Sequence, residues 1–229
     1  MNLKPILNTV MALPIYTKPH FPSEKAHFLL PGPTGVLEVY THQPQSAQAS
    51  TSIICHPHPL MGGTMHNKVI TIIAQACHIL DISTIRFNFR GVGNSEGEFD
   101  KGKGELEDLL AVIAWLKSVA PNHQITIVGF SFGSFIAASA EQHLDLQQLI
   151  LIAPPVERFD FESLPAFRCP CSVIQGEEDV TVNPHAVLRW LNLQLPLAHQ
   201  SWIPKADHFF HGQLLVLRDV LTQQLQIIQ

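Results

Sequence analysis

The stretch Ile125-Thr126-Ile127-Val128-Gly129-Phe130-Ser131-Phe132-Gly133-Ser134 reads as a buried strand that runs through Gly-x-Ser-x-Gly into a helix of small residues, Phe135 to Ala140. The flanks constrain the fold more than the pentapeptide does, because Gly and Ser together also mark ordinary loops. A serine hydroxyl is a weak nucleophile, so an enzyme that uses one must hold it at an exposed, rigid point beside a base and N–H donors. A tight strand-to-helix turn does this. Glycines permit the turn and a close helix, and the helix N-terminus directs free N–H groups at developing negative charge. Ser131 is the candidate nucleophile.

Around this turn the pattern alternates strand and helix. His27 to Leu30 and Val36 to Thr41, joined by Pro31-Gly32-Pro33, read as an antiparallel hairpin. Strands are expected at Ser52 to Cys55, Ile82 to Asn88, Ile125 to Phe130, Leu149 to Ala153, Ser172 to Gln175 and His199 to Ile203. Helices are expected at Asn67 to Leu80, Glu105 to Val119, from Ser131 onward, Pro184 to Leu193 and Gly212 to about Gln226. This is an α/β pattern: a mostly parallel sheet with right-handed crossovers and helices on both faces. Sites in such sheets form at the carboxyl ends of the strands.

A chain of 229 residues can bury its core as one domain, here 27–229, after a loosely structured extension, 1–26, in which Met11 is an alternative start. A net charge of −5 without a Lys/Arg cluster excludes a phosphate-backbone partner, so no nucleic acid is expected. Most of the thirteen histidines, among them His20, His27, His42, His123 and His143, fall in polar stretches that read as surface. Cys55, Cys77, Cys169 and Cys171 lack zinc-like spacing and are few for a secreted scaffold, which favours a reducing, cytoplasmic setting. The apolar patch Ile6 to Leu13 is broken by Asn8, lies between Pro5 and Pro14, and lacks a cleavage site. No segment approaches the ~18 apolar residues of a span, so no membrane association is expected.

A serine hydrolase of this architecture places its acid and then its histidine after the nucleophile. The strand ending at Gln175 runs into Gly176-Glu177-Glu178-Asp179, and Asp179 is the expected acid, with Glu177 and Glu178 as rivals. The last strand leads into Asp207-His208-Phe209-Phe210-His211-Gly212, and His208 is the expected base, His211 lying at the start of the next helix. The oxyanion hole is expected from the N–H of Phe132 and one from the loop Cys55 to Gly63. Pro57 and Pro59 have no N–H to give, which leaves His58, Leu60 or a neighbour. His56, His58 and His66 also invite a metal reading, but they lack further converging ligands, so no metal is expected. Gly91-Val92-Gly93 lacks the third glycine of a dinucleotide loop, Glu96 standing in its place, and reads as a tight turn.

The elbow Gly129 to Gly133 with Asp179 and His208 resembles the α/β-hydrolase fold. Three longer runs, Cys55 to Val69 (CHPHPLMGGTMHNKV), Arg86 to Ser95 (RFNFRGVGNS) and Asp207 to Gly212 (DHFFHG), are similar to a family of small bacterial α/β-hydrolases. Its members are serine esterases or hydrolases without an assigned substrate, more distantly related to dienelactone hydrolases. The resemblance covers about residues 26–229 and implies a serine hydrolase acting without a cofactor. Pro154 to Cys171 is too short for the helical cap of larger relatives, so Val156, Phe159, Phe161 and Leu164 are expected to form a small flap. Met61, Phe130, Phe159 and Phe209 are the expected pocket lining, apolar and open. The expected partner is a small-molecule ester, with a homodimer compatible with the sequence. The expected function is a short-acyl carboxylesterase. A thioesterase or small-peptide hydrolase is the nearest alternative, and a non-catalytic hydrolase-fold binding protein is the alternative of another class.

Overall fold

The computed structural model describes residues 12–226. Among them the sheet has eight strands, in the order β1-β2-β4-β3-β5-β6-β7-β8. They are β1 (Glu24–Gly32), β2 (Gly35–Gln43), β3 (Ser50–Cys55), β4 (Ser83–Phe87), β5 (Gln124–Phe130), β6 (Gln148–Ile152), β7 (Cys171–Gly176) and β8 (His199–Ile203). The helices are α1 (Lys68–Ile79), α2 (Lys103–Val119), α3 (Phe132–Glu141), α4 (Pro184–Gln194) and α5 (Leu214–Gln226). β1 pairs antiparallel with β2 and β2 antiparallel with β4, while β4, β3, β5, β6, β7 and β8 are mutually parallel. This is the mostly parallel α/β sheet expected from the alternating pattern, and the α/β-hydrolase arrangement that the family resemblance implies, with the N-terminal hairpin at one edge.

The central strands β3, β6 and β7 are buried along their whole length and β5 along all but its first residue. That is why they read as continuous apolar runs, both faces being covered. One face packs under α1 and α5, through Val69, Ile70, Leu217 and Leu221. The other packs under α2, α3 and α4, through Leu109, Ile113, Ile136 and Val187. The chain leaves β3 for β4 on one side and later enters β5 on the other. β3 and β5 are therefore neighbours whose connections diverge, and the crevice above their carboxyl ends is the natural place for a site.

The strands of the hairpin are longer than expected, because Gly32 pairs with Gly35 across a two-residue turn and Glu24 with Gln43 at the far end. Of the stretch read as an extension, residues 1–11, including Met11, lie outside the described residues. From Pro14 the backbone is tied to the sheet. Tyr16 N–H donates to Leu29 O at 2.9 Å, Leu29 N–H donates to Pro14 O at 2.8 Å, and Phe21 is buried in the core. No helix among the described residues is long and apolar enough to cross a membrane.

Candidate active site

Ser131 is the N-cap of α3 and has φ 53° and ψ −120°, a conformation that non-glycine residues seldom adopt. Its own N–H donates to Ile152 O at 2.8 Å, so the turn is pinned to β6. The flanking glycines are fixed by contact. A Cβ on Gly129 would lie 2.3 Å from Gly133 O, and one on Gly133 would lie 2.2 Å from Cys55 O. Only bare backbone lets α3 settle this close to the end of β3. The turn therefore holds the Ser131 hydroxyl over the crevice between β3 and β5.

The loops after β7 and β8 bring two further side chains to it. His208 Nε2 lies 3.0 Å from Ser131 Oγ, and His208 Nδ1 lies 2.8 Å from Asp179 Oδ2. A carboxylate only accepts, so Nδ1 carries the ring proton and Nε2 is free to accept from the serine hydroxyl. Asp179 is held on its other side too. Its Oδ1 accepts the N–H groups of Thr181 and Val182, both at 2.8 Å, and Oδ2 also accepts from Gln175 Nε2 at 3.1 Å. Both Asp179 and His208 are buried. Glu177 and Glu178 are exposed, and His211 is turned outward in an ion pair with Asp207 at 2.7 Å, so none of the three takes part in these contacts. The arrangement can move the serine proton to an imidazole of fixed orientation and stabilise the imidazolium that results.

Phe132 opens α3, where the first N–H groups of a helix have no partner within it. Opposite it, the loop after β3 closes a short 3₁₀ turn, Pro59–Met61. The expectation for Leu60 is corrected here. Its N–H donates to His58 Nδ1 at 3.2 Å, because the His58 ring folds back to cap the turn, and its side chain points to solvent. Met61 and Gly63 N–H groups both go to His58 O, at 3.0 Å each. Of the two residues read as second donors, His58 is the one whose N–H is not drawn into the loop's own turn.

His56 is fully buried and both its ring nitrogens are engaged. Nε2 accepts the N–H of Phe89 at 3.0 Å, so Nδ1 carries the proton and donates to Pro57 O at 2.6 Å. Burial lowers its pKa to about 4. The ring is thus a neutral strut between the oxyanion loop and the segment after β4. His56 and His58 rings are both committed to backbone partners, and no group of three potential ligands converges among the described residues.

The sequence run Arg86 to Ser95, read as a strand and turn, supplies the rest of that support. Asn88 Oδ1 accepts Met65 N–H at 2.8 Å and Asn88 Nδ2 donates to Glu38 Oε2 at 2.7 Å, which also accepts Asn94 N–H. Ser95 Oγ donates to Asn88 O at 2.6 Å and accepts Glu38 N–H at 2.9 Å. Arg90 forms a two-pronged pair with the buried Asp108 of α2, at 2.7 and 3.0 Å, and its N–H donates to the same carboxylate. These residues hold the loops beside Ser131 without touching it. Glu38 and Asp108 give no such signal in the sequence, since each is one charged residue in an amphipathic element.

The apolar wall differs in part from the expected lining. Phe159 faces the site, 5.3 Å from Phe132 and 6.4 Å from the His58 ring between centroids, and Phe99, which the sequence reading missed, lies 4.7 Å from His58 and 5.7 Å from Phe132. Phe130 is closed to solvent beneath His208, 5.2 Å away, because its side chain faces the α1–α5 core. Phe209 is 43% exposed and Met61 81% exposed, at the rim. Of the expected flap, Phe161 is buried against Trp190, and 154–170 holds no helix or strand. The crevice is open.

Residues 53–219 match the family model of the alpha/beta hydrolase domain. The chain is 42% identical to an alpha-beta serine hydrolase homologue from Coxiella burnetii, with a TM-score of 0.86 over 90% of this chain and 99% of that one. It is also 42% identical to a serine hydrolase without lid from Xanthomonas campestris, with a TM-score of 0.85 over 90% and 95% of the two chains. An uncharacterized protein of Rickettsia prowazekii is 35% identical over 208 residues, 86% of this chain and 87% of that protein.

Proposed function

This chain belongs to the alpha/beta hydrolase domain family, and from that premise we propose that it hydrolyses small or short-acyl carboxylic esters through an acyl-enzyme on Ser131. The observation that carries the proposal is the continuous contact from Ser131 Oγ to His208 to Asp179, at 3.0 and 2.8 Å. Ser131 Oγ attacks the acyl carbonyl as His208 Nε2 takes its proton. The N–H groups of Phe132 and His58 bind the tetrahedral oxyanion, each such donor contributing about 3 kcal/mol in the transition state. Collapse releases the alcohol with the proton from His208. A water activated by the same imidazole then attacks the acyl carbonyl, and the acid departs as Ser131 recovers its proton.

The substrate class follows from the walls. Phe99 and Phe159, packed on the buried Phe132, offer an apolar surface for an acyl group, while exposed Leu60, Met61 and Phe209 leave the crevice open, as suits short acyl chains. The Xanthomonas relative's description as lacking a lid supports the same reading. Four free thiols, three of them buried, support a reducing, cytoplasmic setting.

Fluorophosphonate labelling of the folded protein tests the chemistry, with fluoride displaced and a phosphonyl adduct left on Ser131. Adduct on wild type and none on Ser131→Ala is the expected result, with kcat on a short ester lowered about a million-fold in the variant. An unlabelled wild type beside a reactive control esterase would instead make this a binding protein. A graded panel of esters, thioesters and anilides then fixes the preferred acyl bond.

A further inference from the structure

On the α1–α5 side of the sheet, apart from the residues around Ser131, a cavity of about 430 Å³ opens between the outer strands and α1. Its position follows from the topology. α1 runs down from the carboxyl end of β3, so its last turn, with His78 and Ile79, meets the first residues of β4. Paired residues of antiparallel strands share a face. Lys25 pairs with His42, His42 with Thr84 and Tyr40 with Arg86, so β1, β2 and β4 present these side chains side by side. His78 of α1 and Arg218 of α5 complete a basic wall, with neutral Thr71, Gln75 and Thr84 between.

The cluster lacks the acids that would ordinarily balance it. Among the described residues no Asp or Glu lines the cavity, and the one carboxylate bound to its wall is that of Asp219, paired with Arg218 at 2.9 Å. Arg86 is the most telling member. Its guanidinium lies over the Tyr40 ring at 4.6 Å and Nη1 donates to Met65 O at 3.3 Å, but the buried Nε has no partner. A guanidinium half-withdrawn from water is normally matched by a carboxylate or phosphate. The rings of His42 and His78 stack with centroids 4.3 Å apart. Burial, and after it His78, Lys25 and Arg86, hold His42 below the usual imidazole range. An anion in the cavity would relieve that mutual repulsion.

We propose that this cavity, walled by Lys25, His42, His78, Arg86 and Arg218, binds the phosphate group of a small phosphorylated molecule. Donors converge from three strands and two helices, which suits a tetrahedral dianion better than a planar carboxylate. The volume exceeds that of phosphate alone, and Tyr40 and the stacked imidazoles offer flat faces to an organic group.

The test is calorimetric titration of the full chain with phenyl phosphate, inorganic phosphate and acetate at matched ionic strength. Wild type binds the phosphates and not acetate. Tighter binding of phenyl phosphate identifies a phosphate ester as the occupant, and equal binding identifies free phosphate. Arg86→Gln weakens binding by roughly tenfold or more, the loss expected for charge-assisted hydrogen bonds. Arg86 is half-buried and its guanidinium is bonded to Met65 O, so exposed His78→Ala provides a second variant whose fold is not in question, and it weakens binding several-fold while its rate of fluorophosphonate labelling stays that of wild type. Phosphate affinity no greater than that for acetate, or equal affinity in wild type and both variants, would overturn the proposal.

Discussion

Asp179 Oδ2 accepts the Nδ1 proton of His208 at 2.8 Å, while Asp179 Oδ1 is locked by the N–H groups of Thr181 and Val182. The carboxylate is thereby oriented by its own loop before the imidazole meets it. Asp179→Asn keeps the size of the side chain, and its amide oxygen can still take the two backbone N–H bonds. Its NH₂ would then face the ring and impose the wrong tautomer, leaving no lone pair at Nε2 for the serine proton. Turnover of a short ester should fall about ten-thousand-fold, with an unchanged far-ultraviolet circular dichroism spectrum. A loss under tenfold would remove Asp179 from the mechanism.

The role proposed for the His58 N–H separates from that of its ring. His58 has φ −53°, close to the angle that proline imposes, so His58→Pro deletes the N–H with little change of backbone. His58→Ala keeps the N–H and removes only the ring that caps Leu60. The proline variant should lose about 10²–10³-fold in kcat and the alanine variant far less. Equal losses would assign the effect to the cap.

His56 predicts a slope of stability with pH. Its folded pKa, held by burial at about 4, lies below the ordinary value of 6.5. Above pH 6.5 the ring is neutral in both states and the contribution is fully present. As pH falls toward 4 the unfolded chain takes up a proton that the folded one refuses, and roughly 3 kcal/mol of stability is lost over that window. Urea unfolding of wild type and His56→Gln at steps from pH 7 to 4 measures it. The difference between the two should shrink as pH falls, and parallel profiles would show that the ring is not kept neutral.

Breaking the pair between Arg90 and Asp108 should cost more than any surface change. Asp108→Ala leaves the buried guanidinium with only Glu107, a half-exposed partner at 3.2 Å. Destabilisation of about 3–5 kcal/mol is expected, read as a drop in denaturation midpoint. The double variant Arg90→Met/Asp108→Leu should recover part of it, since no unpaired charge then remains. A double variant no more stable than Asp108→Ala would mean that the cost is packing rather than charge.

The elements that the sequence disclosed are those whose environment is uniform along their length. β3, β6 and β7 are buried from end to end and β5 in all but its first residue, so their apolar runs announce them, and Ser131 and Asp179 follow from the ends of such strands, while His208 follows the more exposed β8. Charged residues whose burial is decided by a distant partner gave no such signal. Asp108 lies one position before Leu109 in an amphipathic helix, and only the arrival of Arg90 from a loop eighteen positions earlier makes it interior. Glu38 alternates correctly for an exposed strand residue and is instead enclosed by Asn88 and Ser95. The histidines read as surface divide for the same reason: His27 binds Glu38, His123 binds Thr51, and His42 stacks on His78. Leu60 departs from expectation through a shorter-range effect, the ring of His58 two positions before it, which takes its N–H.

The network from Glu38 through Asn88 to Met65 has a consequence for how the protein comes into being. Residues that brace the crevice belong to the first hairpin to be synthesised, whereas His208 belongs to the last loop before α5. A nascent chain therefore cannot bring His208 to Ser131 until residue 208 has been synthesised, and a fragment that lacks the hairpin or that loop lacks part of the crevice. On the proposed mechanism, reaction of Ser131 with a fluorophosphonate would then report the docking of the His208 loop onto the folded hairpin side.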